Sequence, residues 1–337
     1  MRAGLLFVIA CLAACGERDE RQARELAGAT MGTTFRVTVV SGPSGSPGDA
    51  LGERISRTLN DIEQSMSTYL ISSDVSRFNA SQSTEWFRVS AIVCTAVADA
   101  LSISALTDGA FDITVGPVVD LWGFGPEGSR NEPPDGAMIA AARERVGYAR
   151  VSADCSRPAL RKSRADVRID LSAYAKGYAV DRIAELLDGE GLADYMAEIG
   201  GELRIHGKNA AGDPWRIAIE SPAGAGGHVQ RVVNLSDAAM ATSGDYRNYF
   251  EFGERRYSHT IDPRLGEPVS HDLAAVTVVH DQASFADAMA TALLVLGPKD
   301  GMQFAERQEL AVLFQQRAGD NIVESMSPAF RRLAGAD

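Results

Sequence analysis

The chain has 337 residues, with 33 Lys and Arg against 45 Asp and Glu, a formal net charge of −12 at pH 7. That balance argues against nucleic acid and against a polybasic membrane surface, since both need clustered Lys and Arg. The length is enough for one large core or two intimate subdomains.

The N-terminus reads as an export signal. Arg2 is followed by an apolar run from Gly4 to Ala14, too short to span a bilayer, which takes ~20 residues. The run ends in Leu12-Ala13-Ala14-Cys15 and then the charged Glu17-Arg18-Asp19-Glu20. Small residues before a Cys match a bacterial lipoprotein signal, with Cys15 as the lipidated first residue. The alternative is an ordinary secretory signal that contains a Cys. Cleavage before Cys15 would remove one basic residue, Arg2, and no acidic one, leaving a net charge of −13. The expected divisions are a signal over 1–14, a lipidated Cys with a polar tether over 15–27, and one domain over 28–337. No later stretch reaches ~18 apolar residues, so the lipid would be the membrane anchor. The expected location is the bacterial cell envelope, facing the periplasm. Cys94 and Cys155 remain after processing. They lack CxxC spacing, so zinc is not indicated. A disulfide in an oxidising compartment and a buried free thiol both stay open.

Thr33 to Val40 alternates as a strand and runs into a Gly/Pro/Ser loop over 41–48. Leu51, Ile55, Leu59, Ile62 and Met66 have helical spacing over 49–67, and a second helix is predicted over 90–107. An exposed loop follows at 126–136. Short strands are predicted near 149–151, 158–161 and 166–170, then a helix over 173–187. Strands are expected near 194–198, 202–207, 214–220, 229–235, 256–261 and 273–280. A helix over 282–296 and a strand near 310–316 follow. Strands outnumber helices and come in runs, which indicates an α+β fold with mostly antiparallel sheets and packed helices.

Three constellations carry chemistry. In Ala283–Leu296 nearly every position is apolar, so the helix should be buried nearly all round. Asp287 and Thr291 interrupt it at i, i+4, one turn apart on one face. A buried carboxylate needs a cation, donors or a metal. A carboxylate, a hydroxyl and a carbonyl form an all-oxygen set that suits Mg²⁺ or Ca²⁺; an Arg or backbone donors would serve equally well. The second constellation, Asp170 to Asp181, is a strand end, a small-residue turn and a helix start that carries Lys176. Helix N-termini favour phosphate, although this is no Walker loop and a plain turn reads the same way. The third is Ser258 to Gly266, a turn in which His259 and Asp262 are either catalytic or ordinary polar turn residues. No GxSxG elbow occurs. Tyr69, Phe111 and Trp122 would suit a slot for a planar ring or a core. The glycines of Glu198-Ile199-Gly200-Gly201-Glu202 would let a ligand approach the backbone.

Taken in order, Met31-Gly32-Thr33, Ser67-Thr68-Tyr69, Ser76-Arg77-Phe78-Asn79, Gly109-Ala110-Phe111-Asp112, Asp170 to Asp181, Gly200-Gly201, Thr242 to Arg247, Tyr257 to Gly266, and Asp287-Ala288 with Thr291 resemble the FAD:protein FMN transferases. These are the ApbE-type flavin transferases, formerly called thiamine-biosynthesis lipoproteins. The resemblance implies FAD as substrate, in contact with Met31, Tyr69, Ala110, Phe111, Asp112, Asp170, Lys176 and Ile261. It implies Mg²⁺ held by Asp287, Thr291 and the carbonyls of Ala173 and Ala290. It also implies transfer of FMN to a Thr or Ser hydroxyl of an acceptor flavoprotein subunit in the envelope, with release of AMP. Lys176 would stabilise pyrophosphate charge, and His259, with Asp262 as partner, would handle the proton. Many relatives have Gly-Gly-Ile where this chain has Ser172-Ala173-Tyr174, which raises the question of packing beside the phosphates. The rival readings are an FAD pyrophosphatase on the same site and a non-enzymatic FAD-binding lipoprotein.

Overall fold

Apolar alternation builds one long sheet. The computed structural model describes residues 21–41, 49–125, 128–130, 132–223, 228–245, 248–253, 255–319 and 321–335. Eight strands form the sheet: β1 (Gln22–Thr30), β2 (Thr33–Ser41), β3 (Tyr195–Ile199), β4 (Glu202–His206), β5 (Ala238–Gly244), β6 (Leu273–His280), β7 (Ala311–Ala318) and β8 (Asn321–Met326). Their spatial order is their chain order, and every neighbouring pair is antiparallel. The sheet is therefore a meander, and among the described residues every other element except the last helix is inserted between consecutive strands. The longest insertion joins β2 to β3 and carries α1 (Asp49–Met66), α2 (Asp74–Ala80), α3 (Ala91–Leu106), α4 (Gly116–Leu121), α5 (Gly136–Arg143) and α6 (Ala175–Gly189). Helix α7 (Ala283–Arg307) joins β6 to β7, and α8 (Pro328–Ala334) follows β8.

The two faces of the sheet bury different partners. Val37, Val39, Ala197, Ile199, Ala239, Ala241, Val276 and Val278 face the large core with α1, α3, α6 and α7. Leu203, Ile205, Met240, Val279 and Leu313 face a smaller core, closed by a hairpin of Trp215–Glu220 with Val229–Leu235 and by Phe330 of α8. The expected α+β class holds, and the two expected subdomains are two layers on either side of one sheet. The periodic residues of α1 (Leu51, Ile55, Leu59, Ile62 and Met66) are all buried. Ser90 caps α3 by accepting from the Val93 amide at 3.3 Å.

Four expectations are corrected. Residues 22–27, assigned to the tether, belong to β1, which pairs with β2 from Gln22↔Ser41 to Thr30↔Thr33. Its outward residues are polar because it is an edge strand, so its composition resembles a linker. Met31 (φ 48°) and Gly32 (φ 71°) make the two-residue turn, the left-handed pair that a type I′ hairpin needs. Residues 166–170 form no strand. Asn79 reads this segment in place of a neighbouring strand: its amide donates to the Ile169 carbonyl, and its oxygen accepts from the Ile169 amide, both at 2.8 Å. The segment at 256–261 divides into Arg255–Ser258 and Ile261–Asp262. Helix α7 runs past 296 to Arg307, with a break at Gly297 (φ 79°) ahead of Pro298.

Cys94 and Cys155 are joined in a disulfide that ties α3 to the turn after Val151–Asp154. The signal over 1–14, Cys15 and residues 16–20 lie outside the described residues, as do 42–48 and the pair Tyr246-Arg247. No helix among the described residues is long and apolar enough to cross a membrane.

Candidate active site

Helices α6 and α7 meet through two reciprocal carboxylates. Asp181 of α6 faces the start of α7 and accepts from the Ala283 amide (2.9 Å), the Ser284 amide (2.9 Å), the Ser284 hydroxyl (2.7 Å) and Arg204 Nη1 (2.9 Å). Asp287 of α7 faces the start of α6 and accepts from the Gly177 amide at 3.1 Å. In a continuous helix that amide would close onto the Ala173 carbonyl. The helices can approach this closely because position 177 is Gly, where a Cβ would lie 2.3 Å from the Ala283 carbonyl oxygen.

The turn into α6 is held by Asp170, whose Oδ1 accepts from the Ser172 amide (2.8 Å) and hydroxyl (2.5 Å). Tyr174, the bulky departure from the Gly-Gly-Ile pattern, is buried and turns toward α3, where its hydroxyl donates to Asp99 Oδ2 at 3.2 Å. It is absent from the lining of the neighbouring cavity, so that lining does not carry the extra bulk.

That cavity has a volume of about 630 Å³ and opens where the insertions after β2, β4 and β5 converge on α6 and α7. Asp287, Thr291, Lys176, Glu202 and Ser243 share one side of its lining. Thr291 Oγ1 lies 2.9 Å from Ser243 Oγ. Lys176 Nζ donates to Glu202 Oε1 at 2.7 Å and lies 3.9 Å from Asp287 Oδ1. The second oxygen of Glu202, Oε2, is buried without a hydrogen-bond partner. Burial, reinforced by the charge of Asp287, pushes the Glu202 carboxyl up to about 8. Burial also raises Asp287, against the opposing pull of Lys176. Burial alone would lower Lys176, but the two carboxylates outweigh it and leave the ammonium raised. Two buried carboxyl groups thus share one ammonium, and burial opposes ionising both of them at once.

These groups fit a hard divalent cation. The donors are a carboxylate, hydroxyls and an unpartnered carboxylate oxygen, the oxygen-only chemistry that Mg²⁺ or Ca²⁺ takes. Ala173 also lines the cavity, whereas Ala290 is buried inside α7 beside Thr291. Among the described residues no group of three or more His, Cys, Asp and Glu is placed to hold a metal, so nothing suggests a zinc-type centre.

Most of the other sequence-predicted residues converge here. Ala110, Phe111, Asp112, Asp170, Ile261, His259 and Tyr69 line the cavity. Tyr69 is 73% exposed, which leaves its ring available. Asp112 is buried and bracketed by the Thr114 amide and hydroxyl (both 2.7 Å) and the Tyr148 amide (2.8 Å); burial still holds its carboxyl above the usual range. His259 Nδ1 lies 3.0 Å from the Asn248 carbonyl oxygen. A carbonyl only accepts, so Nδ1 carries the hydrogen and Nε2 keeps its lone pair. Burial lowers the imidazole below 6.5 despite that bond and the charge of Asp245.

Three predicted residues lie outside the lining: Ala290, buried within α7, and two others. Met31 is absent from the lining: it occupies the β1–β2 turn, where its side chain packs against the large core and its amide points to Glu63 Oε2 at 3.5 Å. Asp262 is committed to Arg264, accepting from its amide (2.9 Å), Nε (2.9 Å) and Nη2 (2.7 Å), so the expected His259–Asp262 pair is not formed. Glu202 and Ser243 are the residues that sequence reasoning did not single out. Glu202 was legible only as the end of a glycine turn, Ser243 only as part of a motif. Trp122, read as a slot or core aromatic, is core: it is buried outside the lining and stacks on Tyr257 at 5.5 Å, while Phe124, which does line the cavity, stacks on Phe250 at 5.6 Å.

The sequence profile of the ApbE family matches residues 31–314. The FAD:protein FMN transferase of Vibrio cholerae is 40% identical over 98% of this chain and 98% of its own. That of Escherichia coli K12 is 40% identical over 91% of this chain and 88% of its own. The solved flavin transferase ApbE from Vibrio cholerae superposes with a TM-score of 0.84 at 39% identity, covering 93% of this chain and 99% of that one. The apo flavinyl transferase ApbE from Pseudomonas stutzeri gives 0.86 at 41% identity, over 94% and 98%. Family profile, full-length relatives and fold agree, and the chain belongs to the ApbE family.

Proposed function

We propose that this chain is an enzyme that transfers FMN from FAD to a Thr or Ser hydroxyl of an acceptor protein, releasing AMP. The observation that carries the reading is the pairing, in one cavity, of an under-satisfied oxygen cluster (Asp287, Thr291, Ser243 and Glu202) with an exposed aromatic face at Tyr69. The first suits a cation and a pyrophosphate; the second suits a planar ring. Mg²⁺ would be held by Asp287, Thr291 and the carbonyls of Ala173 and Ala290, and would neutralise charge on the phosphate oxygens.

The rest falls to the chain's own residues. Lys176, carried in the first turn of α6, presents an ammonium that burial has not neutralised to the pyrophosphate. The acceptor oxygen forms a bond to the phosphorus that bears riboflavin, and the bond from that phosphorus to the bridging oxygen breaks. AMP leaves with the electron pair. His259 Nε2, free to accept, takes the hydroxyl proton. The lowered imidazole is already neutral at pH 7, as a base must be. Asp262 would act only indirectly, by fixing Arg264 and the turn that follows Ile261. Asp112 and Asp170 fix the loops on which the flavin side of FAD would rest. Most of the acceleration would come from positioning and electrostatics.

Lipidation of Cys15 would place the enzyme at the membrane of the bacterial envelope, facing the periplasm, with envelope flavoprotein subunits as acceptors. The lipoprotein box in the sequence supports this. The Cys94–Cys155 disulfide agrees with an oxidising compartment.

One assay tests the reading. The chain from Glu17 onward is incubated with FAD, Mg²⁺ and a Thr-containing acceptor domain, and the denatured acceptor is examined for flavin fluorescence. Bound flavin that disappears in Asp287→Ala is the expected outcome. Free FMN and AMP with an unlabelled acceptor would mean hydrolysis, and unchanged FAD would mean a binding protein; either overturns transfer.

A further inference from the structure

Among the described residues, Glu202 is the one carboxylate lining the cavity that has a buried oxygen with no partner. Its side chain is only 5% exposed. It opens β4 directly after Gly200 (φ 61°) and Gly201 (φ 107°), a turn that brings the strand end to the cavity. Strand alternation puts Glu202 with Arg204 on the α6 side, while Leu203 and Ile205 point into the smaller core. A carboxyl oxygen buried without a partner in such a place is costly, and such exceptions call for a reason.

The neighbours supply one. Lys176 Nζ touches Glu202 at 2.7 Å and lies 3.9 Å from Asp287, so the two carboxylates face one ammonium. Lys176 donates to Oε1, which leaves Oε2 for another donor. Asp287, Thr291 and two carbonyls cannot complete an octahedral shell, and Mg²⁺ characteristically keeps several waters. Waters on a cation are strong donors, and carboxylates beyond the direct ligands typically receive them.

Resting on the reading that a divalent cation occupies Asp287 and Thr291, we infer that Glu202 is an outer ligand of that cation. Its Oε2 accepts a hydrogen from a cation-bound water, while Oε1 holds Lys176 off Asp287. Glu202 is thus a positioning residue for cation and lysine together. Glu202→Gln isolates the role. Lys176 only donates, so the amide oxygen must face it, and the NH₂ group then occupies the place of Oε2, donor against donor.

The test is calorimetric titration of the EDTA-treated full chain with Mg²⁺ alone, without FAD. Wild type should bind, Asp287→Asn should not, and Glu202→Gln should bind about 10–100-fold more weakly. Adding Lys176→Met to Glu202→Gln should leave the affinity low. Should that second change restore it, Glu202 serves only to restrain Lys176 and the inference fails. Wild-type affinity in Glu202→Gln, with none in Asp287→Asn, likewise overturns it while the cation site stands. Binding that is absent from wild type, or unaffected by Asp287→Asn, removes the cation reading and the inference with it. If Glu202→Gln does not melt cooperatively in EDTA, Glu202→Asp replaces it; its shorter arm should also weaken Mg²⁺ binding, and unchanged affinity there would overturn the inference.

Discussion

The α6–α7 interface contains two buried aspartates in mirrored positions, and they differ in one respect. Asp181 and Asp287 are each almost fully buried, and each faces the first turn of the other's helix. Asp181 receives four hydrogen bonds, one from a guanidinium. Asp287 receives one from an amide and has an ammonium at 3.9 Å. Sequence type, burial and helix context are the same; the donor count is not. A saturated carboxylate holds the two helices together. An unsaturated one at the same interface, beside the orphaned oxygen of Glu202, is prepared to receive something from outside the chain.

Substitutions should separate the two roles. The largest effect is expected for Asp287→Asn, which should lower flavin transfer by on the order of a thousandfold, since metal-assisted charge stabilisation supplies several kcal/mol. The same variant should melt no lower than wild type in EDTA, because it removes a buried charge with few partners; a clear loss of Tm in EDTA would contradict the contrast. Asp181→Ala should do the reverse, costing about 3–5 kcal/mol in chemical denaturation because Arg204 and the α7 amides lose their acceptor. Mg²⁺ at a hundred times its Kd should stabilise wild type and Asp181→Ala by about 2.7 kcal/mol and leave Asp287→Asn unchanged, as read from thermal melts. Gly177→Ala, whose Cβ would meet the Ala283 carbonyl, should cost about 1–3 kcal/mol by forcing both helix starts apart.

The smallest effect concerns pH. The His259 imidazole is depressed below 6.5, so the base is already deprotonated at neutral pH. Activity should be flat near pH 7 and fall only on acidification below 6.5. His259→Gln should lose that acid limb along with most of the rate. A limb centred above 6.5 in wild type would contradict the assignment.

Much of this contrast was legible before the fold was known, and the reason is period. Asp287 and Thr291 are conspicuous because they interrupt an otherwise apolar helix, and β6, with its run of Val and Ala, could hardly be anything but a central strand. Elements that lack a buried face were invisible. β1 has polar outward residues, and its first part, 22–27, reads as a tether; 166–170 has strand composition, but the Ile169 hydrogen bonds go to the Asn79 side chain. Glu202 could not be read as a site residue, since its importance lies in an oxygen that finds no donor, a property of packing across β4, α6 and α7. The Cys94–Cys155 pairing was equally undecidable over a separation of 61 residues.

The edge strand has a mechanical consequence. β1 begins at Gln22, so with Cys15 lipidated as proposed only six residues, seven Cα–Cα steps, would separate the lipidated residue from the sheet. At full stretch that is about 25 Å, less than a small domain's width. The enzyme would ride close against the bilayer without a long reach. Under that proposal an acceptor would have to bring its hydroxyl down to that height, and distance from the membrane would become a selection rule independent of the acceptor's sequence.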